Sequence, residues 1–158
     1  MDRKVDENDY PDFVVGDEIR MPAQFRQNIG YAVRRAQIRI YNDFYDTLAD
    51  LDTTPTRFTL MLLIRENPGI RAVDLARTLG VARSGMVKLV EGLEQRGLIS
   101  READPRDRRN QTLVLTRQGQ RTLNKQEKAV EHHEAKVTAG LSESEREQLL
   151  ALLWRVAI

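Results

Sequence analysis

Cysteine is missing from this 158-residue chain, which excludes disulfide bridges, thiolate metal sites and a cysteine-based redox switch within the polypeptide. No run of 18 apolar residues occurs either, so we expect no membrane-spanning helix. The residues after Met1 are charged rather than apolar, a start that does not fit a secretory signal peptide. Together these absences predict a cytoplasmic protein.

The sequence also lacks the residue patterns that mark enzyme active sites, such as a glycine-rich phosphate loop or metal-ligand spacing. Ser84 and Gly85 do not form a nucleophile elbow, because they lie within a predicted helix and not after a strand. His132 and His133 point about 100° apart on a helix, so the pair cannot chelate one ion, and surface or ligand-pocket histidines are favoured. We therefore predict no enzymatic activity, no cofactor and no metal site.

Net charge is small, at +1, but its distribution along the chain is uneven. Residues 1–20 contain seven acids and three bases, which gives −4, whereas residues 71–121 contain eleven bases and six acids, which gives +5. A concentrated basic segment is what binding to nucleic-acid phosphates requires. The length indicates one domain, large enough for a hydrophobic core.

Residues 71–116 have the pattern of a helix, a tight turn, a second helix and two strands. Gly80 stands at the turn, where a left-handed backbone costs least. The residues predicted to pack inside the first helix are Val73, Leu75, Ala76 and Leu79. Those at helical spacing in the second are Val81, Met86, Leu89, Val90 and Leu93. With strands at 98–101 and 111–116 around a charged loop, the pattern predicts a winged helix-turn-helix that binds duplex DNA.

The run of residues 75–119 resembles the DNA-binding core of the MarR family of transcriptional regulators. Its distinguishing part is the wing, D-P-R-D-R-R at residues 104–109, followed by a strand that ends L-T-x-x-G at residues 115–119. Many folds contain a helix-turn-helix, but this wing at this spacing is specific. Further predicted helices extend the resemblance to about residues 25–158. The expected fold is mainly α with a small β-wing, a winged helix-turn-helix core flanked by N- and C-terminal dimerisation helices.

Three regions are expected on this basis. Residues 1–22 form either a tail or an arm that packs across a partner subunit. Residues 54–116 form the winged helix-turn-helix DNA-binding lobe, with Thr54 as the N-cap of its first helix. Residues 23–53 and 117–158 form a helical dimerisation region, whose second part begins after the N-cap Thr116.

The outward face of the second helix of the motif holds the residues predicted to contact DNA: Arg83, Ser84, Val87 and Lys88. Three wing arginines are predicted to contact DNA as well: Arg106, Arg108 and Arg109. Asp104 and Asp107 are predicted to brace the wing. The resemblance implies that Asp107 and Arg109 are the signature acid and arginine, and that this arginine enters the minor groove. The alternative is a solvated helix face and a loop that is merely soluble.

The last predicted helix follows a capping box formed by Ser142 and Glu145. Its apolar residues would be exposed in a monomer: Leu149, Leu150, Leu152, Leu153, Trp154, Val156 and Ile158. We therefore expect this helix to pack against a second copy of the chain, and the MarR resemblance implies the same homodimer.

A long helix predicted from about residue 22 to residue 51 is apolar on two sides. One side is aromatic and hydroxylated, and the following residues are predicted to bind a small molecule: Tyr31, Arg34, Ile38, Tyr41 and Tyr45. An arginine there requires an anion. Three anions remain possible for Arg34: an acid such as Asp43 or Glu127, a DNA phosphate, or a carboxylate or phosphate on the ligand.

The sequence thus predicts a homodimeric, sequence-specific DNA-binding transcriptional regulator with an inverted-repeat operator. The resemblance implies a repressor that a small anionic aromatic ligand, or its coenzyme A thioester, releases from double-stranded DNA. One alternative is a DNA-binding protein of the same fold that responds to no ligand. Another is a winged helix that binds proteins, against which the concentration of basic charge argues.

Overall fold

The computed structural model describes residues 22–104 and 110–157, and the features below are those of these two stretches. The chain divides into two compact units, residues 1–37 and 38–158, with the division inside a helix. Among its described residues, the second unit is mainly helical and has one two-stranded sheet. The predicted fold class is confirmed. Within the described stretches, no helix is long and apolar enough to cross a membrane.

Six helices and two strands follow one another in the described chain. They are α1 (Ile29–Thr47), α2 (Pro55–Glu66), α3 (Ala72–Thr78), α4 (Arg83–Gln95), β1 (Ile99–Ala103), β2 (Gln111–Leu115), α5 (Arg117–Val137) and α6 (Glu143–Ala157). Two short 3₁₀ helices, Ala23–Gln27 and Ala49–Leu51, lie before and after α1.

In its described part, the first unit consists of the first 3₁₀ helix and the beginning of α1. Asn28 lies between them in an extended conformation, and its Oδ1 accepts a hydrogen bond from the backbone N–H of Tyr31 at 2.8 Å. This is the bond that an N-cap side chain makes. The Phe25 ring stacks on the Tyr31 ring, with 4.7 Å between their centroids. The prediction of one continuous helix from residue 22 to residue 51 is therefore wrong, because Asn28 starts a new helix.

In the second unit, α1 ends at Thr47 and the chain turns before α2 begins. Asp52 adopts the left-handed conformation, with φ of 41°, which redirects the backbone. Thr54 then caps α2 as predicted: its side-chain oxygen accepts from the backbone N–H of Arg57 at 3.2 Å. Pro55 occupies the first helical position, where a missing N–H costs nothing.

The hydrophobic core of the second unit lies between α2, α3, α4, the hairpin and the start of α5. Its buried residues are Leu60, Met61, Ile64, Leu75, Ala76, Met86, Val90, Leu93, Leu98, Ile99, Leu113 and Leu123. Val73, predicted to pack, is 40% exposed instead. β1 and β2 pair antiparallel, from Ile99 opposite Leu115 to Ala103 opposite Gln111. The predicted wing hairpin is thus built directly on the core.

The junction between β1 and α5 is unusually close. Thr116 caps α5 by accepting from the backbone N–H of Gly119 at 2.9 Å, and its hydroxyl donates to the carbonyl of Gly97 at 2.6 Å. A Cβ added to Gly119 would lie only 1.9 Å from the carbonyl oxygen of Leu98. The L-T-x-x-G end of the wing motif is therefore a structural junction, with a threonine that caps the helix and a glycine that permits the contact.

A polar cluster joins α1 to α5 within the second unit. Asp43 accepts hydrogen bonds from His133 Nδ1 at 2.8 Å and from Thr47 Oγ1 at 3.2 Å, and it forms an ion pair with Lys136. Burial opposes ionisation of Asp43, but hydrogen bonds from Lys136 and His133 outweigh it and lower its pKa from 3.8 to about 2. The buried His133 ring also meets the Phe44 ring edge-on, at 5.5 Å between centroids. His133 is therefore a core residue, not a surface histidine.

Helix α6 begins with the predicted capping box. Glu145 Oε2 accepts from the backbone N–H of Ser142 at 2.8 Å, and Ser142 Oγ accepts from the N–H of Glu145 at 3.3 Å. Every residue of α6 is exposed, including several leucines and Trp154, which is 63% exposed. A 15-residue helix is marginal in water on its own, so packing against other surfaces has to stabilise α6.

Replacing Gly119 with alanine should destabilise the fold by about 1–3 kcal/mol, because the new methyl group would overlap the Leu98 carbonyl. Gly92→Ala in α4 is the matched control, since a Cβ there meets no atom within 4 Å. Alanine in a helix interior is favoured over glycine by about 0.5–1 kcal/mol. Urea unfolding should therefore give a lower midpoint for Gly119→Ala and a higher one for Gly92→Ala. An unchanged midpoint for Gly119→Ala would contradict the close junction.

Candidate nucleic-acid interface

Helix α4 has one buried face and one open face. Met86, Val90 and Leu93 are each 1% exposed and pack into the core. The residues predicted to contact DNA all lie on the open face and are exposed: Arg83, Ser84, Val87 and Lys88. Val87 is 41% exposed, which costs hydrophobic free energy unless another molecule covers it. The structure thus brings together the four helix residues that the sequence predicts.

The turn before α4 fixes the direction in which this open face points. Gly80 has a positive φ of 61°, and the N–H of Val81 donates to the carbonyl of Ala76 at 3.0 Å. A Cβ built on Gly85 would lie 3.1 Å from a methyl carbon of Val81, so the chain passes close to the first turn of α4. Small residues at the turn therefore let α3 and α4 cross closely, as a helix-turn-helix requires.

The wing is described only at its base. The backbone N–H of Asp104 donates to the carbonyl of Asn110 at 3.0 Å, which closes the loop. Arg71 at the start of α3 has a raised pKa, chiefly because of its hydrogen bond with Asp74 and more weakly because of the charge of Asp104. Asp104 thus lies near the Arg71 guanidinium, and its role as a brace stays a prediction. The other predicted wing residues lie outside the described part of the chain, and their roles stay predictions: Arg106, Asp107, Arg108 and Arg109.

An ion pair ties α4 to the wing hairpin. Arg101 of β1 donates from Nε to Glu94 Oε2 at 2.9 Å, and from Nη1 to Gln111 Oε1 of β2 at 3.4 Å. One guanidinium thus connects α4 with both strands. Sequence reasoning missed this contact because a charge pair seven residues apart, in different elements, has no periodic signal.

Further polar contacts hold the same, C-terminal end of α4. Arg96 Nη2 lies 3.3 Å from Asp52 Oδ2 in the turn before α2, and the Arg96 carbonyl accepts from Gln118 Nε2 of α5 at 3.1 Å. The C-terminal end of α4 therefore has polar contacts to the hairpin, to α5 and to the turn before α2, whereas its outward face is open.

The residues predicted to bind a ligand all lie on α1: Tyr31, Arg34, Ile38, Tyr41 and Tyr45. Tyr41 and Tyr45 are 40% and 48% exposed. Arg34 donates to Gln37 within the same helix at 3.4 Å. The two acids considered as its partner pair with other groups: Asp43 with His133 and Lys136, and Glu127 with Arg65 at 2.7 and 2.8 Å. Ligand binding by these residues stays a prediction.

Two buried polar residues of α5, Gln126 and His133, were not predicted from the sequence. They are 0% and 1% exposed and lie seven residues apart. Leu123, Val130 and Val137, also seven apart, mark the same face of the helix. That spacing is the signal by which the two polar residues could have been found.

Comparison with known proteins identifies the family of this chain. A model of the MarR family matches residues 53–110, which span α2 to the wing. The protein named as the proposed transcriptional regulator of the hcr operon in Thauera aromatica is 36% identical over 129 residues, covering 81% of this chain and 78% of that protein. The chain belongs to the MarR family. This member of the MarR family is therefore a transcriptional regulator, as the sequence predicts, and its relatives are regulators and not enzymes.

Two solved structures of the transcriptional repressor CouR are also similar to this MarR-family chain. One of them is bound to a 23-mer DNA duplex and is 37% identical to this chain. The match covers 89% of this chain and 99% of the CouR chain, with a TM-score of 0.84. The other is bound to p-coumaroyl-CoA and is 35% identical to this chain. The match covers 89% of this chain and 98% of the CouR chain, with a TM-score of 0.81. The whole described architecture therefore matches regulators of this family.

Breaking the ion pair between Glu94 and Arg101 should weaken DNA binding by up to about fivefold, because a partly exposed pair contributes roughly 0.2–1 kcal/mol. Glu94→Gln and Arg101→Gln should each show this loss by fluorescence anisotropy on a duplex that the wild type binds. The charge swap, Glu94→Arg with Arg101→Glu, should restore affinity. If Arg101 instead contacts phosphate directly, the swap would stay defective and Glu94→Gln would bind as tightly as the wild type.

Proposed function

We propose that this protein is a homodimeric cytoplasmic repressor that binds an inverted-repeat operator and releases it on binding an aromatic acid or its coenzyme A thioester. The observation that carries the proposal is the open face of α4, which presents Arg83, Ser84, Val87 and Lys88 beside the wing hairpin. An arginine, a hydroxyl, a small apolar group and an ammonium thus share one exposed face.

These four residues match the chemistry of a major groove. Arg83 and Lys88 can donate to guanine edges or to phosphates, and Val87 can contact a thymine methyl group. Ser84 suits either a phosphate or a base. Wing arginines in the adjacent minor groove would be favoured by its negative potential. The similarity of this chain to CouR, which was solved bound to a 23-mer DNA duplex, supports duplex DNA as the partner.

The exposed apolar side of α6 supports the dimer. Six of its apolar residues are between 41% and 68% exposed: Leu149, Leu150, Leu152, Leu153, Trp154 and Val156. A second copy of α6 and its surroundings would cover them, and a two-fold axis would relate the two α4 helices. Such a dimer accounts for an inverted-repeat operator with half-sites about one helical turn apart.

Release by a ligand is supported by the second CouR structure, which contains p-coumaroyl-CoA. In this proposal, the ligand binds better to a conformation in which the two α4 helices are wrongly spaced for DNA. Tyr31, Arg34, Ile38, Tyr41 and Tyr45 are the proposed ligand-binding residues. The anionic group of the ligand would pair with Arg34.

Lys88→Ala and Arg109→Ala should each weaken operator binding by about 1–3 kcal/mol, because each removes a cation from the DNA interface. Lys125→Ala on the exposed side of α5 removes the same charge away from that interface and should leave affinity unchanged. Affinities would be measured by anisotropy on an operator located by footprinting the DNA upstream of the gene. Wild-type affinity in both interface variants would contradict the proposed binding surface.

The double variant Leu149→Asp with Leu153→Asp should dissociate the dimer, because two charges would enter an apolar interface. Ser144→Asp with Gln148→Asp adds the same charge to the opposite side of α6 and serves as the control. Sedimentation at micromolar concentration should give a dimer for the wild type and the control, and a monomer or unfolded chain for the leucine variant. A folded wild-type monomer would refute the proposed assembly.

A further inference from the structure

Gln126 is the most unusual buried residue among those that the structure describes. It is 0% exposed, and both its Nε2 and its Oε1 lack a hydrogen-bond partner within the described chain. Buried polar groups are almost always paired, and an amide can make up to four hydrogen bonds. The buried His133 on the same helix face follows the rule, since it bonds Asp43.

The position of Gln126 excludes simple explanations for the unpaired amide. Less than 1 Å² of either amide atom is accessible, so neither water nor a second chain can reach them unless α5 moves. α5 packs against α2 and against the 3₁₀ helix Ala49–Leu51. An apolar side chain of similar shape would fill the same space without the cost of an unpaired donor and acceptor.

The surroundings suggest what could pair with the amide. Along α5, Gln126 lies between Leu123, a core residue, and His133, whose ring contacts Phe44. Phe44 in turn lies 6.3 Å from Phe58 of α2, measured between ring centroids. Seven residues of helix separate Gln126 from His133, or about 10 Å. An amide at one end of a face with aromatic rings at the other suits a flat aromatic molecule that has a hydroxyl group.

We propose that Gln126 recognises the hydroxyl group of an aromatic effector, donating to and accepting from it the hydrogen bonds that its amide lacks within the chain. This inference rests on the proposed release by an aromatic thioester and names the residue that selects among such thioesters. A phenol is both a donor and an acceptor, as the amide requires.

Binding at Gln126 would also move the DNA-binding lobe. The amide is inaccessible, so an effector reaches it only if α5 and α2 separate. The neighbouring Glu127 holds Arg65 of α2 with two hydrogen bonds of 2.7 and 2.8 Å, and the same helix supplies core residues such as Leu60 and Met61. A shift of α2 is therefore passed to the core on which α4 rests. An effector that favours the separated arrangement shifts the population away from the DNA-binding one.

The test compares two thioesters that differ only in the hydroxyl group, p-coumaroyl-CoA and cinnamoyl-CoA. Calorimetry should show that the wild type binds p-coumaroyl-CoA about tenfold more tightly or better, because a site with unpaired polar groups rejects the analogue that lacks the hydroxyl. Gln126→Met, or Gln126→Leu as a second variant, should abolish this preference while binding the duplex normally. Gln120→Met is the control, since Gln120 bonds only Asn124 within α5, and it should keep the preference.

Thermal unfolding supplies an independent readout. Gln126→Met should melt at the wild-type temperature or above it, because an unpaired buried amide is replaced by an apolar group of the same shape. A large fall in melting temperature with an unchanged preference would show that the amide has a structural partner, and would overturn the inference. If p-coumaroyl-CoA releases the wild type from DNA and Gln126→Met keeps the preference, the inference alone fails. If neither thioester binds or releases the wild type, the proposed ligand response fails and the inference fails with it.

Discussion

The contact of the first turn of α5 with Gly97 and Leu98, the two residues before β1, is the constraint on which the rest of the lobe depends. Because Gly119 has no side chain and Thr116 bonds the carbonyl of Gly97, the start of the helix lies directly against the residues that lead into the hairpin. α5 has 21 residues and is therefore about 30 Å long. A tilt of about 5° at this junction displaces its far end by roughly 3 Å. Small rearrangements along α5 and changes in the wing are thus mechanically linked.

Local signals in the sequence were sufficient for most of the fold. The caps at Thr54, Thr116 and Ser142 depend on residues within three positions of one another, and all three form as predicted. The start of α1 was predicted wrongly, because the apolar periodicity continues across Asn28 and the nearby Gly30 lies inside the new helix rather than at the break. A side chain that ends one helix by capping the next leaves no gap in a hydrophobic pattern.

In the candidate site, too, some features could be predicted from the sequence and others could not. Exposure of Arg83, Val87 and Lys88 follows from helical periodicity once the core face of α4 is known, and the sequence predicts it. The ion pair of Glu94 with Arg101 and the burial of Gln126 depend on how separate elements pack. Polar residues at core positions also weaken the very pattern by which a buried face is found. Tertiary contacts of this kind could therefore not be predicted from the sequence.

The exposure of apolar residues on α6 has a consequence for the life of the protein in the cell. A newly made chain displays leucines and a tryptophan on a helix that its own fold cannot support. Chaperones and proteases act on such surfaces, and a chain that stays unpaired is open to them for longer. If the proposed dimer forms, a chain would therefore escape degradation only by assembling with a second chain. The amount of regulator would fall steeply, and not in proportion, when its synthesis is reduced.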